Sequence, residues 1–344
     1  MKEKISIIIP CYNVENELRR CLDSVFAQDV QSADYEVICV DDKSTDTTLD
    51  ILLEYEKKHP ENMAVIPLDS NGKQGHARNV AFEYAGGEYI TYVDADDVIA
   101  PGMLRILYDN LKKYDCDVAE CNYKMFTEVC DYNVETAGKI ENYDMQDVSW
   151  KKACILRRFS RTSPWGRLYK RTLIKNNDIF FPEDITMEDV YFSEMSMAYM
   201  TKYVWLPQTL YFYYVNTNGT YFNPQAAKYY MDALRVQNFA IDRIRSERLD
   251  FNCEKEYEYH YFWNAFCGII RRMILDKNFF SYENYLLAYQ EVGERYPNIL
   301  QNIYVLTSEA ELIKFSIELF KRIFSKKELA MAMYGDSYAD VLDD

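Results

Sequence analysis

Tyr89-Ile90-Thr91-Tyr92-Val93-Asp94-Ala95-Asp96-Asp97 decides how this chain is read. It begins as an apolar, β-branched and aromatic run, the pattern of a buried strand. It ends in three carboxylates within four residues. Carboxylates this close repel one another unless positive charge sits among them. A divalent cation with oxygen ligands supplies such charge, and Mg²⁺ or Mn²⁺ is commonly held by one or two carboxylates plus substrate phosphates. Open α/β sheets also bind ligands beyond the carboxyl ends of their strands. The stretch reads as a metal–diphosphate site; the other reading is an acidic turn before a helix that Pro101 and Gly102 help to start. A calcium-binding EF-hand fits poorly, because the sixth position from Asp94 is not glycine and the twelfth is Arg105.

Strands and helices alternate on either side. Ile5 to Ile9 is a β-branched run ended by Pro10, and Glu36 to Val40 is a second strand that ends at Asp41-Asp42. Val65-Ile66 marks a short third strand, and Asp117 to Cys121 follows the central one. The spacing between them predicts helices with inward faces of Leu18, Cys21, Leu22 and Val25; Leu49, Leu52 and Leu53; Ala77, Val80, Ala81 and Tyr84; and Leu104, Leu107, Tyr108 and Leu111. Ser44 and Asp46 are N-cap candidates for the second helix. Short connections between these elements predict a mostly parallel α/β sheet covered by helices over the first 120 residues. No Gly-x-Gly-x-x-Gly follows the first strand and no Gly-Lys-Ser/Thr occurs, so a nucleotide here is held by side chains and loops.

Residues 124–142 are polar and irregular, and a short helix is expected around Val148 to Leu156. Ser163 to Lys170 leads into another helix. Met187-Glu188-Asp189 starts a helix with its acids in the first turn, where the macrodipole favours them. Val204 to Leu206 and Leu210 to Val215 read as two strands. From Pro224 the pattern is helical almost to the end, with Tyr230, Leu234, Ile241 and Ile244 on one stripe and Tyr257, Tyr261, Phe262 and Ile269 on the next.

Composition narrows the function. A net charge of −16 argues against nucleic acid as the main partner, though not against a nucleotide whose diphosphate a cation neutralises. Three histidines leave little room for chemistry that needs several. Nine scattered cysteines, some within apolar patterns, suggest reduced thiols and a cytoplasmic setting, and Cys116 and Cys121 lack the spacing of a zinc site. No apolar run is long enough for a membrane span, and no signal peptide is expected.

Six motifs converge in order. They are Pro10-x-Tyr12-Asn13; Val40-Asp41-Asp42-x-Ser44-x-Asp46; Asn71-x-x-x-Gly75-x-Ala77-Arg78-Asn79; Asp94-x-Asp96-Asp97; Trp165-Gly166-Arg167-Leu168-Tyr169; and Glu188-Asp189-x-x-Phe192. Together they resemble glycosyltransferase family 2, the inverting enzymes of the GT-A fold. The resemblance implies a nucleotide-diphospho-sugar transferase fold, a Rossmann-like sheet with helices on both faces, over residues 1–215, with a nucleotide-binding half (1–120) and an acceptor half (121–215). A helical C-terminal region (216–344) would follow.

The resemblance also implies roles. Pro10, Tyr12, Asn13 and Asp42 would line the nucleoside pocket, with Gly75 and Arg78 closing its other side. Asp94 would contact the ribose and Asp96 would ligate Mg²⁺ or Mn²⁺. Asp97 would face the donor sugar or the surroundings of the metal. Asp189 would be the general base, supported by Glu188, and Trp165 would either contact the acceptor or belong to the core. The implied reaction moves a sugar from a nucleotide donor, a UDP-sugar first, to a hydroxyl of a polysaccharide or lipid-linked glycan of the cell envelope. One departure stands out: Tyr213-Tyr214-Val215 replaces the Tyr-Tyr-Arg of many relatives, which leaves a diphosphate contact to the metal or a nearby cation. The rival readings are a nucleotidyltransferase of similar topology and a non-catalytic subunit that binds nucleotide or glycan.

Near the C-terminus Ile313, Ile317, Phe320 and Phe324 recur at helical spacing beside Lys314, Lys321, Arg322, Lys326 and Lys327. Such a helix either lies on the inner face of a membrane or packs on the protein with a solvated basic edge. Glu309, Glu311 and Glu318 favour packing.

Overall fold

The computed structural model describes residues 4–31, 34–127, 132–158, 162–216 and 226–335. They divide into two compact units, one of residues 1–151 with 161–217 and one of residues 152–160 with 218–344. The second unit thus includes a short earlier piece of chain, which a single cut after residue 215 does not provide for.

The first unit is built on one sheet. β1 (Ile5–Cys11), β2 (Tyr35–Asp41), β3 (Met63–Pro67) and β4 (Tyr89–Tyr92) are parallel, in the order β3-β2-β1-β4. The sheet continues through β8 (Arg167–Lys170), β6 (Val118–Phe126), β9 (Lys202–Tyr214) and the two-residue β5 (Val98–Ile99), with β7 (Glu141–Asp144) also pairing β9. β8 runs antiparallel to β4 and β6, while β9 is parallel to β6. Because β1, β2 and β4 are parallel neighbours, their carboxyl ends open on one edge. Strand order reverses across β1, which makes that edge the expected ligand crevice.

Helices α1 (Leu18–Phe26), α2 (Thr48–Lys58), α3 (Lys73–Tyr84) and α4 (Met103–Tyr114) connect these strands. The inward faces of α1 and α4 hold every residue their spacing predicts. In α2 the buried face is Thr48, Ile51, Leu52 and Tyr55, and Leu53 points outward. Thr47 is its N-cap, while the Asp46 carboxylate accepts from Thr48 N–H at 2.9 Å. In α3 the buried residues are Gly75, Ala77, Arg78 and Ala81, and Tyr84 is exposed. Small residues there let the helix lie close against β1 and β2.

The two strands expected around Val204 and Leu210 are one. Pro207 sits at an irregularity in the β6–β9 register, where its missing N–H breaks no ladder bond. Ser163 to Lys170 ends in β8 before α6 (Arg171–Asn176), and α7 (Glu188–Tyr199) begins at the expected acids. α5 (Val148–Arg158) is the expected short helix.

The second unit is helical: α8 (Ala226–Ser246), α9 (Glu254–Phe262), a π-helical turn (Trp263–Cys267), α10 (Gly268–Leu275), α11 (Tyr282–Arg295), α12 (Ile303–Leu306), α13 (Glu311–Phe320) and α14 (Lys326–Tyr334). Phe320 packs edge-on against Phe262 and Phe266, at 5.6 and 4.9 Å between ring centres. The apolar face of α13 is therefore used inside this unit. Its neighbouring cations are paired as well: Lys314 with Glu309, Lys321 with Glu318, and Arg322 with Glu328. No helix among the described residues is long and apolar enough to cross a membrane.

The start of β4 supplies a matched test of packing. A Cβ on Gly87 would meet Ser6 Oγ at 2.6 Å and the Lys4 carbonyl at 2.7 Å, whereas one on Gly86 would find nothing closer than 3.5 Å. Gly87→Ala should lower unfolding stability by about 1–3 kcal/mol in urea titration, and Gly86→Ala by no more than about 0.5 kcal/mol.

Candidate active site

The carboxyl edge of the parallel strands brings three loops together. After β1, Asn13 adopts a positive φ of 50°. Its backbone N–H donates to Ser44 Oγ at 3.0 Å, and its side-chain oxygen accepts from Thr45 N–H at 2.8 Å. These bonds tie the β1 loop to the β2 loop and leave Tyr12 half exposed at the mouth. Pro10 is buried in β1, in register with Val40. Asp42 is buried and accepts from Gly72 N–H at 2.8 Å, which anchors the loop before α3. Burial raises its carboxyl pKa, opposed by the N–H bonds from Gly72 and Lys73.

The acid loop after β4 is the centre. Asp94 and Asp96 are partly exposed, and Asp97 is fully buried. Burial, then the neighbouring Asp94, raise the Asp96 carboxyl to about 7. Arg20 of α1 donates to the Asp96 carbonyl at 2.8 Å and lies over the rings of Phe126 and Tyr214 at 5.0 and 4.7 Å. It braces the loop from beneath.

Asp97 is turned into the protein interior. Its oxygens accept from Tyr211 Oη at 2.5 Å and from Tyr214 N–H at 2.7 Å. Tyr211 Oη also accepts from the Asp94 N–H at 3.1 Å. The cause is β5, which begins one residue later and pairs with β9, so the chain turns into the sheet at Asp97. Burial drives this carboxyl well above its ordinary value. Trp165 takes the core place that was one of its two readings. It is buried and stacks on Tyr211 at 4.4 Å and on Tyr213 at 5.4 Å, under the acid loop.

Arg78 joins the acid loop to α7. Its buried guanidinium donates to Asp94 Oδ1 and to Glu188 Oε1, each at 2.7 Å. Two segments far apart in sequence thereby meet, and Asp189 comes with Glu188. Burial, then Glu188, push the Asp189 carboxyl up to about 7, and Arg78 opposes them. Gly75 acts through packing: a Cβ there would lie 2.7 Å from the Pro182 carbonyl and 3.0 Å from Glu188 Cγ.

Sequence reasoning missed Arg20, Tyr211 and Tyr213. Tyr213 is half-buried, and its hydroxyl pKa is raised by burial and then by Asp97, Asp94, Asp96 and Asp189. The alternation of β9 could have signalled the two tyrosines; nothing in the pattern marks Arg20. Val215, where an arginine was expected, donates its N–H to the Phe126 carbonyl at 2.8 Å, and residues 217–220 of the following loop lie outside the described residues.

Residues that could hold a metal are few. Among the described residues no three His, Cys, Asp or Glu side chains are arranged to hold one by themselves. Asp96 fits a hard cation in another way: it is a desolvated carboxylate beside a second one, with no basic side chain bonded to it among the described residues. A cavity of about 490 Å³ opens on the neighbouring face of α3, lined in part by Asn79, Phe82, Glu83, Ile174, Phe180 and Phe181, and no carboxylate of the acid loop reaches it.

Residues 6–159 match the family described as Glycosyl transferase family 2. The matched stretch spans under half of the chain and runs from β1 to β7. The chain is similar to a poly(ribitol-phosphate) beta-glucosyltransferase of Bacillus spizizenii, 35% identical over 232 residues, which are 63% of this chain and 33% of that protein. The chain spans about a third of the length of the curated relatives it matches first. Residues 1–349 of S. aureus TarS in complex with UDP-GlcNAc superpose with a TM-score of 0.58 at 22% identity, covering 86% of this chain and 91% of that one. A mannosyltransferase of Pyrobaculum calidifontis in complex with GDP-Man and Mn²⁺ gives a TM-score of 0.57 at 15% identity, covering 99% and 86%. The fold is GT-A, followed by a helical C-terminal region.

Tyr211→Phe removes the donor to Asp97 and the acceptor for the Asp94 N–H. Equilibrium unfolding in urea should show a loss of about 1–3 kcal/mol, the cost of a buried unsatisfied polar group.

Proposed function

We propose that this protein transfers a sugar from a UDP-sugar to a hydroxyl of a polysaccharide or other surface polymer, with inversion, by a single displacement. The observation that carries this reading is the Arg78 bridge, which holds the Asp94–Asp96 loop and the Glu188–Asp189 turn at one edge of the sheet. The printed names of its relatives support it: one acts on poly(ribitol-phosphate), and the TarS neighbour binds UDP-GlcNAc.

In this reading Tyr12 and Asp42 border the nucleoside, and Asp94 faces the ribose. Asp96 would hold Mg²⁺ or Mn²⁺, and a bound cation there would stabilise the charge of the departing diphosphate. The Mn²⁺ of the mannosyltransferase neighbour agrees with that choice. The acceptor oxygen attacks the anomeric carbon as the bond to the diphosphate breaks. Its proton passes to the Asp189 carboxylate, and UDP leaves. A base with a pKa close to the working pH suits this step. No protein nucleophile is required.

Val215 favours one other reading, a subunit that binds nucleotide or glycan without turnover. A panel of UDP-sugars with Mn²⁺, with Mg²⁺ and with EDTA separates the two. The expected result is UDP release from one donor, abolished by EDTA and by Asp96→Ala. Asp189→Asn should lower kcat by about 10²–10⁴-fold with UDP binding kept. Binding indifferent to EDTA, with no release from any donor when polymer acceptor is present, would refute the enzyme reading.

The pH profile gives a second check. Asp189 accepts a proton only when ionised, and its carboxyl is raised to about 7. Turnover should therefore rise with pH through that region and level off above it. A profile already flat at pH 5 would remove Asp189 from the role.

A further inference from the structure

The first turns of α3 are fastened to the segment that delivers Asp189. Lys73 Nζ donates to the Asp184 carbonyl at 2.8 Å, and His76 Nδ1 lies 3.1 Å from the Glu183 carboxylate. Asn79 grips the Phe181 backbone from both sides: Nδ2 donates to its carbonyl at 2.8 Å, and Oδ1 accepts from its N–H at 2.9 Å. Asn79 Nδ2 also reaches Glu183 Oε1 at 3.0 Å. The segment so held is bent. Asp184 and Met187 take positive φ values of 57° and 67°, a region that side chains other than glycine rarely adopt, and Met187 immediately precedes Glu188. Such strain persists only where the surroundings over-determine the conformation.

We propose that Asn79 is a positioning residue for the transfer reaction, acting through Phe181 to set where the α7 N-terminus presents Asp189 to the acceptor hydroxyl. The inference rests on the reading of Asp189 as base. Arg78 cannot be separated from the donor side, because the same guanidinium holds Asp94. Asn79 can. It sits on the next face of the helix, lines the neighbouring cavity, and has its amide engaged by Phe181 and Glu183. Removing it should loosen the base without disturbing nucleotide binding. A misplacement of the base by about 1 Å is enough to slow such a step about 10²-fold.

The test is Asn79→Ala in the full chain, with three readouts. Calorimetry with UDP and Mn²⁺ should give a Kd within about twofold of wild type, because the nucleoside and acid loops are untouched. Hydrogen exchange should quicken in residues 181–190 and stay unchanged in the acid loop. With the UDP-sugar that wild type turns over, kcat should fall about 10–100-fold with donor KM within about twofold. Unchanged exchange in 181–190, unchanged kcat, or a loss of UDP affinity as large as the loss of kcat would each overturn the proposal. Asn79→Asp, which keeps the acceptor for Phe181 N–H but sets a carboxylate oxygen against the Phe181 carbonyl and Glu183, should not restore the wild-type kcat or exchange. If wild type turns over no UDP-sugar, the functional reading fails by itself, and exchange still decides whether Asn79 holds the segment.

Discussion

One buried guanidinium holds this domain's chemistry together. Arg78 lies in the interior with a carboxylate on each side, from the loop after β4 and from the first turn of α7. Removing a charge from water is costly unless it is paired and its hydrogen bonds are met, so each partner needs the other two. The triad also limits its surroundings. α3 must approach the 181–188 segment closely enough that Gly75 has no room for a side chain. The acid loop must be held from its other side, which Tyr211 and Tyr214 do through Asp97.

The neighbouring acids Asp94, Asp96 and Asp97 illustrate how burial assigns different work to identical side chains. Asp94 is neutralised by arginine, and Asp97 is bound to β9 by two donors. Asp96 is left desolvated with no basic side chain bonded to it among the described residues. A cation on the diphosphate would complete that charge balance, which is why the reading of this loop as a ligand site rests on Asp96 above the other two.

Much of the first unit was legible because its signals are local. β-branched runs ended by turn residues gave β1, β2 and β4, and apolar spacing gave the inward faces of α1 and α4. Parallel neighbours then placed Tyr12, Asp42 and Asp94 on one edge without further information. What failed was non-local. Tyr84 fits the inward spacing of α3 and is exposed, because the face against the sheet is made of small residues and an arginine. β5 is only two residues long, and it exists because β9 is there to pair with it. The resemblance left Asp97 between the donor sugar and the metal's surroundings, and Trp165 between acceptor and core; pairing with β9 and stacking on its tyrosines bury both. The strand residues of β9 were expected, but not what they pair with, and that accounts for β5, Asp97 and Trp165.

Trp165 carries a consequence of that burial. Its indole is stacked on the ring whose hydroxyl holds Asp97 and the Asp94 backbone. Trp150, by contrast, is almost half exposed to water. Light emission from a tryptophan depends on its immediate neighbours, so Trp165, one of four tryptophans in the chain, is placed to respond when the acid loop moves against Tyr211.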